Sequence, residues 1–571
     1  MIVEELVRNG IDYFVISPGS RSAPMTSSVA ENSRAKDIII YDERSAAFHA
    51  IGYAKGCGKP AVLICTSGSA VGNYLPAVIE ADISKIPLII ISADRPTELR
   101  DVGANQSINQ RDIFKPYIRY GLDLEAPNES IPLKYILTLT DSLVNYAVKG
   151  AGAVHLNIMF REPLAPTIIP FNNNILMGIE DWEQSSGVYT EYINEVRTLS
   201  DETIEFILDG IKEADNPLFI IGRLPFGTDR ELLIKLIERL KIPVFADILS
   251  GLRMVDNIHI INYYDQILLD EKMVEEKPDF VLHIGGQLTS KRLLQCLDCP
   301  IERYIVLKEH SDRHDPNNNI THRICSDYNS FFVSMVNKTN EMGIESLVED
   351  RFGNGLKSKN GKINNALNDL KIPEANEVMV ARLVSEEISS DEILFLSSSM
   401  PVRDMDMFAN IRGGKDENSY EIIEVDANRG ASGIDGIIST ASGIMVGRKR
   451  DCSLVIGDIA FIYDMNVLSY LDKIENKMTI VLINNGGGGI FSFLPISEKN
   501  KNFEKYFATP HSFNFGGISN NFNIEYRKCE SMKDFRMAYC SRNKVDRHLI
   551  IEVVCDRESN IELHRSLKGL Y

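Results

Sequence analysis

Short runs of β-branched and aliphatic residues recur along this chain, separated by stretches of helical character. That alternation confines it to a layered α/β architecture, because parallel strands need crossovers of a dozen or more residues, usually helical. In residues 1–165 the runs are Tyr13–Ile16, Ile38–Tyr41, Ala61–Cys65, Leu88–Ile91 and Ala153–Leu156. A second group comprises Pro217–Gly222, Pro243–Ala246 and Phe280–Gly285. A third comprises Ile393–Leu396, Ser453–Ile456, Thr479–Ile483 and Leu549–Val554. The expected fold is therefore three consecutive doubly wound parallel-sheet domains, at 1–168, 195–345 and 370–571. The Pro- and Asn-rich stretch Pro163–Asn174 reads as the first linker. Residues Arg351–Ile372, rich in Lys, Asn and Gly, read as a second linker or an irregular lead-in. No short-period repeat is present, which argues against a solenoid.

Composition narrows the function classes. The 571 residues are 44% hydrophobic and carry a formal net charge of −19, which argues against a nucleic acid or an anionic membrane as the main partner. Local Arg or Lys pockets for small anions remain compatible with it. Apolar runs such as Pro87–Ile91 are strand-sized, far short of the ~20 residues of a membrane helix. Met1 opens directly into the amphipathic run Ile2–Val7, with no secretory signal before it. The nine cysteines are an odd set, and the close pair Cys296 and Cys299 lacks a second pair for zinc, so reduced, structural thiols in a cytoplasmic protein are expected.

Two distant motifs carry the chemistry. The run Ser453–Ile456 ends in Gly457-Asp458, and the next run ends in Asn484-Asn485, with Asn485 standing 27 positions after Asp458, about one crossover. A diphosphate binds where a strand hands over to a helix, because free N–H groups and the helix dipole favour anions there. A hard divalent cation bridging it to protein needs oxygen ligands, and Asp458 and Asn485 offer a carboxylate and an amide oxygen. Gly486–Gly489 lets the backbone approach closely. Turn residues alone would be the plainer reading of either dipeptide; the paired spacing after two apolar runs favours the metal.

Glu43 follows the β-like run Ile38–Asp42 and precedes the small-residue stretch Ser45–Gly52. Taken alone it reads as an ion-paired strand end. Buried in a dry site, such a carboxyl can instead share a proton with a heterocyclic nitrogen. Combined with the distant cation motif it points to thiamine diphosphate, whose aminopyrimidine becomes basic when a carboxyl hydrogen-bonds N1′. His49, His155 and His283 read as structural, and no Gly-x-Gly-x-x-Gly with an acidic partner supports a nicotinamide dehydrogenase.

Further blocks are Ser17-Pro-Gly-Ser-Arg-Ser22, Asp42-Glu-Arg44, Thr66-Ser-Gly68, Ala93-Asp-Arg-Pro96 and Gly103-Ala-Asn-Gln106. Later come Gly286-Gln-Leu-Thr-Ser-Lys-Arg292, Asn428-Arg-Gly-Ala-Ser-Gly-Ile-Asp-Gly436 and Asn484-Asn-Gly-Gly487. Through these blocks the chain resembles, nearly end to end, the 2-succinyl-5-enolpyruvyl-6-hydroxy-3-cyclohexene-1-carboxylate synthases of menaquinone biosynthesis, a thiamine diphosphate-dependent family. The resemblance implies decarboxylation of 2-oxoglutarate and conjugate addition of the succinyl-semialdehyde carbanion to isochorismate. It also implies Mg²⁺ or Mn²⁺, and a homodimer or homotetramer with active sites at subunit interfaces.

Carried onto this chain, the resemblance makes Glu43, Gln106 and Ser399 catalytic. Gly457, Asp458, Ile459, Ala460, Ile434, Asn485 and Ile490 would join Glu43 in holding the cofactor, with Ile434 wedged beneath it. Asp458, Asn485 and the Gly487 backbone would hold the metal. Ser20, Arg21, Arg95, Asn105, Gln106, Lys291, Arg292, Ser399, Arg403, Arg429 and Phe491 would meet substrate or intermediate. The arginines lie beside Gly-, Ser- or Pro-rich loop signals, and a guanidinium suits bidentate carboxylate recognition. Departures from the family pattern are Ile459 in place of glycine, Ala460 where serine is frequent, and Met400-Pro401 between Ser399 and Arg403. The chain also opens about a helical turn inside the family's usual first helix, as a shortened start would. A different thiamine enzyme, such as an acetolactate synthase or a 2-oxoacid decarboxylase, and a non-catalytic ligand-binding protein are the competing readings.

Overall fold

The computed structural model of the protein describes residues 1–166, 173–193, 195–270, 277–344, 351–414 and 419–569; part of the expected first linker lies outside them. Three sheets are present, every strand pair parallel. The first holds β1 (Tyr13–Ile16), β2 (Lys36–Ile39), β3 (Val62–Cys65), β4 (Leu88–Asp94), β5 (Ile118–Leu124) and β6 (Ala153–Met159), in the order β2-β1-β3-β4-β6-β5. The second holds β7 (Pro217–Ile221), β8 (Val244–Ala246), β9 (Phe280–Ile284), β10 (Arg303–Lys308) and β11 (His322–Cys325), in the order β11-β10-β9-β7-β8. The third holds β12 (Ile393–Leu396), β13 (Glu424–Ala427), β14 (Cys452–Gly457), β15 (Met478–Asn484), β16 (Glu525–Cys529) and β17 (Leu549–Val554), in the order β13-β12-β14-β15-β17-β16. Its strand order repeats that of the first sheet position for position. In both, the order reverses beside the first strand, and ligands of open α/β sheets bind at the strand carboxyl ends of such switch points.

The chain divides into two compact units, one of residues 1–194, 428–450 and 460–477, the other of 195–427, 451–459 and 478–571. In the first, Phe14, Val62, Ile89, Leu143 and Leu156 centre the core. Helices Glu43–Cys57 and Ile437–Arg448 pack there almost backbone to backbone, through Gly52 and Gly56 on one and Gly443 and Gly447 on the other. A Cβ on Gly52 would run into the Thr440 carbonyl, and one on Gly443 into the His49 carbonyl. His49, buried in this contact, hydrogen-bonds the Tyr13 hydroxyl at 2.9 Å and Ser442 at 2.7 Å, and burial lowers its pKa to about 3. It is a neutral structural residue. In the second unit separate apolar clusters cover the faces of the two sheets.

Three features differ from the sequence reading. The second strand ends at Ile39, so Glu43 opens helix Glu43–Cys57 instead of closing a strand, and Asp42 caps that helix through Arg44 N at 3.0 Å. Strands β5, β10, β11, β13 and β16 add to the expected set. Four of these sit at sheet edges, where one flank needs no apolar run, as the partly exposed Glu525-Tyr-Arg-Lys-Cys529 shows. Residues Arg351–Asn368 form a helix, not a linker. Its Lys, Asn and Gly masked the stripe Leu356, Ile363 and Leu367, all buried in the core with Tyr263 and Phe408. Among the described residues, no helix is long and apolar enough to cross a membrane.

Candidate active site

Within the first unit, the loops after β1, β3 and β4 converge. The Ser17–Ser22 loop lies so close to Thr66 that a Cβ on Gly19 would collide with it. Arg95 follows β4 and donates from Nη1 to the Ser67 hydroxyl. Gln106 Nε2 donates to the Ser67 carbonyl at 2.9 Å, and Gln110 accepts from Gly68 N at 2.9 Å. Arg21 is buried and donates to the Phe160 carbonyl at 2.9 Å, while its Nε has no hydrogen-bond partner. Burial, and then the nearby Arg21 guanidinium, lower the pKa of Arg95. Arg21 also lies 3.5 Å from the exposed Glu162 carboxylate, and two buried cations met by this one long ion pair can still seat an anion. Ser20, Asn105 and Gln106 are exposed beside this seat, and Gln106 takes a positive φ of 57°.

The same unit holds Glu43 and the loop Asn428–Gly436. Glu43 is half-buried, with Asn73 Nδ2 3.4 Å from its carboxylate. Its neighbours are fixed: Arg44 donates to the Tyr463 carbonyl at 2.6 Å, and Asp42 accepts from Asn466 at 3.0 Å. Buried Glu80 grips the loop by accepting from Gly430 N at 2.9 Å and Ala431 N at 2.7 Å. Arg429 and Ile434 in that loop are half-buried, and Ser432 has a φ of 57°. A cavity of about 190 Å³ opens between the loop and Phe48 of the Glu43 helix, lined also by Glu80, Asn428 and Asp435.

In the second unit, Gly457 ends β14 and Asp458 is buried just beyond it. Its carboxylate accepts from Ile459 N at 2.7 Å and Gly487 N at 3.0 Å, so the backbone at Ile459 serves where glycine was expected. Burial raises the pKa of Asp458. Gly487 has a φ of 146°, and a Cβ there would collide with the Ala508 carbonyl, so glycine is required. Asn485 Nδ2 donates to Glu377 at 2.8 Å, whereas its Oδ1 is buried with no hydrogen-bond partner. An unsatisfied amide oxygen following one strand, with a carboxylate following the neighbouring strand, fits a hard cation that also takes diphosphate oxygens. Among the described residues no three His, Cys, Asp or Glu side chains cluster to hold a metal by themselves. Ile490 is half-buried and Phe491 exposed in the 3₁₀ turn that follows, and Ala460 is buried in the helix after Gly457.

Ser399 precedes helix Met400–Phe408 with a φ of 75°, and Arg403 donates to its carbonyl. Pro401 lies in the first turn, where a missing N–H costs nothing, so Met400-Pro401 is compatible with this helix start. A non-glycine residue with positive φ is costly and concentrates at functional sites. Of the middle-sheet pair, Lys291 is exposed and Arg292 is ion-paired with Asp265. Ser67 stands in the Thr66-Ser-Gly68 block without an assigned role, and Glu80, Glu377 and His511 stand in none of the sequence motifs. His511 Nε2 lies 3.1 Å from Asp458 Oδ2, and only the fold brings them together.

A family model described as "Thiamine pyrophosphate enzyme, N-terminal TPP binding domain" matches residues 1–113, and one described as "Middle domain of thiamine pyrophosphate" matches 173–396. A curated 2-succinyl-5-enolpyruvyl-6-hydroxy-3-cyclohexene-1-carboxylate synthase of Prosthecochloris aestuarii is 39% identical over 572 residues, spanning 99% of this chain and 96% of its own. The chain belongs to the 2-succinyl-5-enolpyruvyl-6-hydroxy-3-cyclohexene-1-carboxylate synthase family. Synthases of the same name from Chlorobaculum tepidum and Chlorobium chlorochromatii are 38% and 39% identical, each spanning 100% of this chain and 96% of its own. Within this synthase family the three parallel sheets are those of a thiamine diphosphate enzyme.

Proposed function

We infer that the chain catalyses the thiamine diphosphate- and divalent metal-dependent decarboxylation of 2-oxoglutarate and the addition of the remaining four-carbon unit to isochorismate. The product is 2-succinyl-5-enolpyruvyl-6-hydroxy-3-cyclohexene-1-carboxylate. The observation that carries this reading is the unpartnered Asn485 oxygen, held by a chain whose relatives from Prosthecochloris aestuarii and Chlorobaculum tepidum, matched over nearly their full length, bear this name. Residues 1–168 would bind the pyrimidine, 195–345 form the central domain, and 370–571 hold diphosphate and metal; the repeated strand order of the outer sheets supports that division.

Thiamine diphosphate, when bound, supplies the carbon nucleophile and the electron sink for loss of carbon dioxide. The chain's part is to bind, orient and exclude water. Asp458, the Asn485 oxygen and the Gly487 carbonyl would hold Mg²⁺ or Mn²⁺, with Gly457, Ile459 and Ala460 beside the diphosphate. Glu43 would hold a proton at the pyrimidine N1′. Ile434 and Ile490 would pack against the cofactor. In support of the Glu43 role, its neighbours Arg44 and Asp42 are fixed by hydrogen bonds to Tyr463 and Asn466.

The substrates bring several carboxylates, and the buried Arg21–Arg95 pair supports binding of one of them. Ser20, Asn105, Gln106, Ser399, Arg403, Arg429 and Phe491 would complete the substrate surface. Lys291 fits the same role better than Arg292, whose charge Asp265 already meets. A cytoplasmic homodimer or homotetramer with sites at subunit interfaces is the assembly we propose.

The test is purified protein with thiamine diphosphate, Mg²⁺, 2-oxoglutarate and isochorismate, the product being identified by mass. Pyruvate should be a poor replacement for 2-oxoglutarate. Pyruvate turned over equally well, with no isochorismate adduct, would point instead to a simple decarboxylase or an acetolactate synthase.

A further inference from the structure

The orientation of the Asn485 amide is not left to the cation. An amide flip would exchange oxygen for NH₂ at the metal face, and Glu377 stands where it can prevent this. Glu377 opens helix Glu377–Glu387, is buried, and accepts from Asn485 Nδ2 at 2.8 Å. Glu377 Oε1 accepts there, so the NH₂ group faces it and Oδ1 faces away.

Glu377 is itself fixed from two other helices. Its backbone N–H donates to Asn560 Oδ1 at 3.2 Å. His564, on the same helix Arg557–Ser566, makes hydrogen bonds with the Asn560 carbonyl and the Asp404 carboxylate, each at 2.8 Å. Asp404 adjoins Glu377 and follows Arg403 on helix Met400–Phe408. The loop after β15 and the helix that starts at Ser399 are thereby tied to one buried polar group.

We propose that Glu377 is a positioning residue for the metal site, locking the Asn485 amide so that its oxygen faces the cation. The inference rests on the metal reading above. Partners that orient metal ligands commonly carry about 10–100-fold of metal affinity. The readout is Mn²⁺ binding to the full-length protein with thiamine diphosphate, followed by electron paramagnetic resonance, which needs no turnover.

Glu377→Gln keeps an acceptor for the Asn485 NH₂, and its Mn²⁺ affinity is expected within about threefold of wild type. Glu377→Ala and the space-filling Glu377→Leu remove the acceptor, with affinity expected to fall about 10–100-fold. Wild-type affinity in either folded apolar variant overturns the proposal. If neither folds, Asn485→Asp decides, because it sets two carboxylates face to face. Adding Glu377→Gln should then recover at least tenfold in affinity, and no recovery rejects the proposal. Asp458→Ala separates the two readings: if wild type and Asp458→Ala bind Mn²⁺ alike, the metal site itself is misassigned. Loss in Asp458→Ala beside full retention in Glu377→Leu removes only the role of Glu377.

Discussion

Arg95 donates a hydrogen bond to the hydroxyl of Ser67, joining the loop after β4 to the loop after β3. Ser67 also accepts Gln106 through its carbonyl, so one small residue sets both a buried cation and a neutral donor. The arrangement leaves the Arg95 guanidinium near that of Arg21, with burial disfavouring the Arg95 charge. A substrate carboxylate would relieve that strain.

Arg95→Ala should therefore raise the KM for 2-oxoglutarate by about 10–100-fold, the size of a lost charged hydrogen bond. Arg95→Lys should recover only part of it, since an ammonium cannot reproduce the fork. Steady-state kinetics in both substrates check this; an unchanged KM for each would place the substrate carboxylates elsewhere.

Glu80→Ala leaves the N–H groups of Gly430 and Ala431 without their buried acceptor. The expected cost is about 1–3 kcal/mol in urea unfolding. Because the loop carries Arg429 and Ile434, kcat/KM should fall by more than Glu80→Gln causes. Equal kinetics in the two variants would separate Glu80 from the site.

Gly443→Ala inserts a methyl group against the His49 carbonyl. Overpacking at a close helix crossing costs about 1–3 kcal/mol. A lower urea midpoint with unchanged slope is expected, whereas wild-type stability would mean that the two helices do not touch as described.

Asp464 gives a pH signature. Burial raises its pKa to about 7, against the lowering effect of hydrogen bonds from Ser439, whose N–H donates at 2.8 Å. The folded state thus holds the proton more tightly than the unfolded state, so this group's stabilisation is present below its ordinary value near 4 and is lost as pH rises towards 7. Asp464→Asn should lessen the fall in melting temperature between pH 4 and pH 7. An identical profile in the variant would contradict the assignment.

Much of this was legible in the sequence, and the gaps have physical reasons. Buried central strands such as β4 and β15 announce themselves as continuous aliphatic runs, whereas β5 and β16, at sheet edges, interleave charge and glycine. Asp458 and Asn485 could be read because each directly follows a strand. Glu377 and Glu80 could not, since their partners lie 108 and 350 positions away and their local sequence is that of ordinary helices. The paired glycines of the close helix crossing were visible as residues but not as partners. The Arg351–Asn368 helix was hidden because its polar composition outweighed three spaced apolar residues.

The central proposal is that Glu43 serves thiamine diphosphate by holding a proton at its pyrimidine. Its most direct test is Glu43→Gln, assayed for thiamine diphosphate binding with Mg²⁺ by calorimetry and for turnover by product mass. The account predicts a folded protein that still binds the cofactor but turns over orders of magnitude more slowly. Turnover near that of the wild type would contradict it.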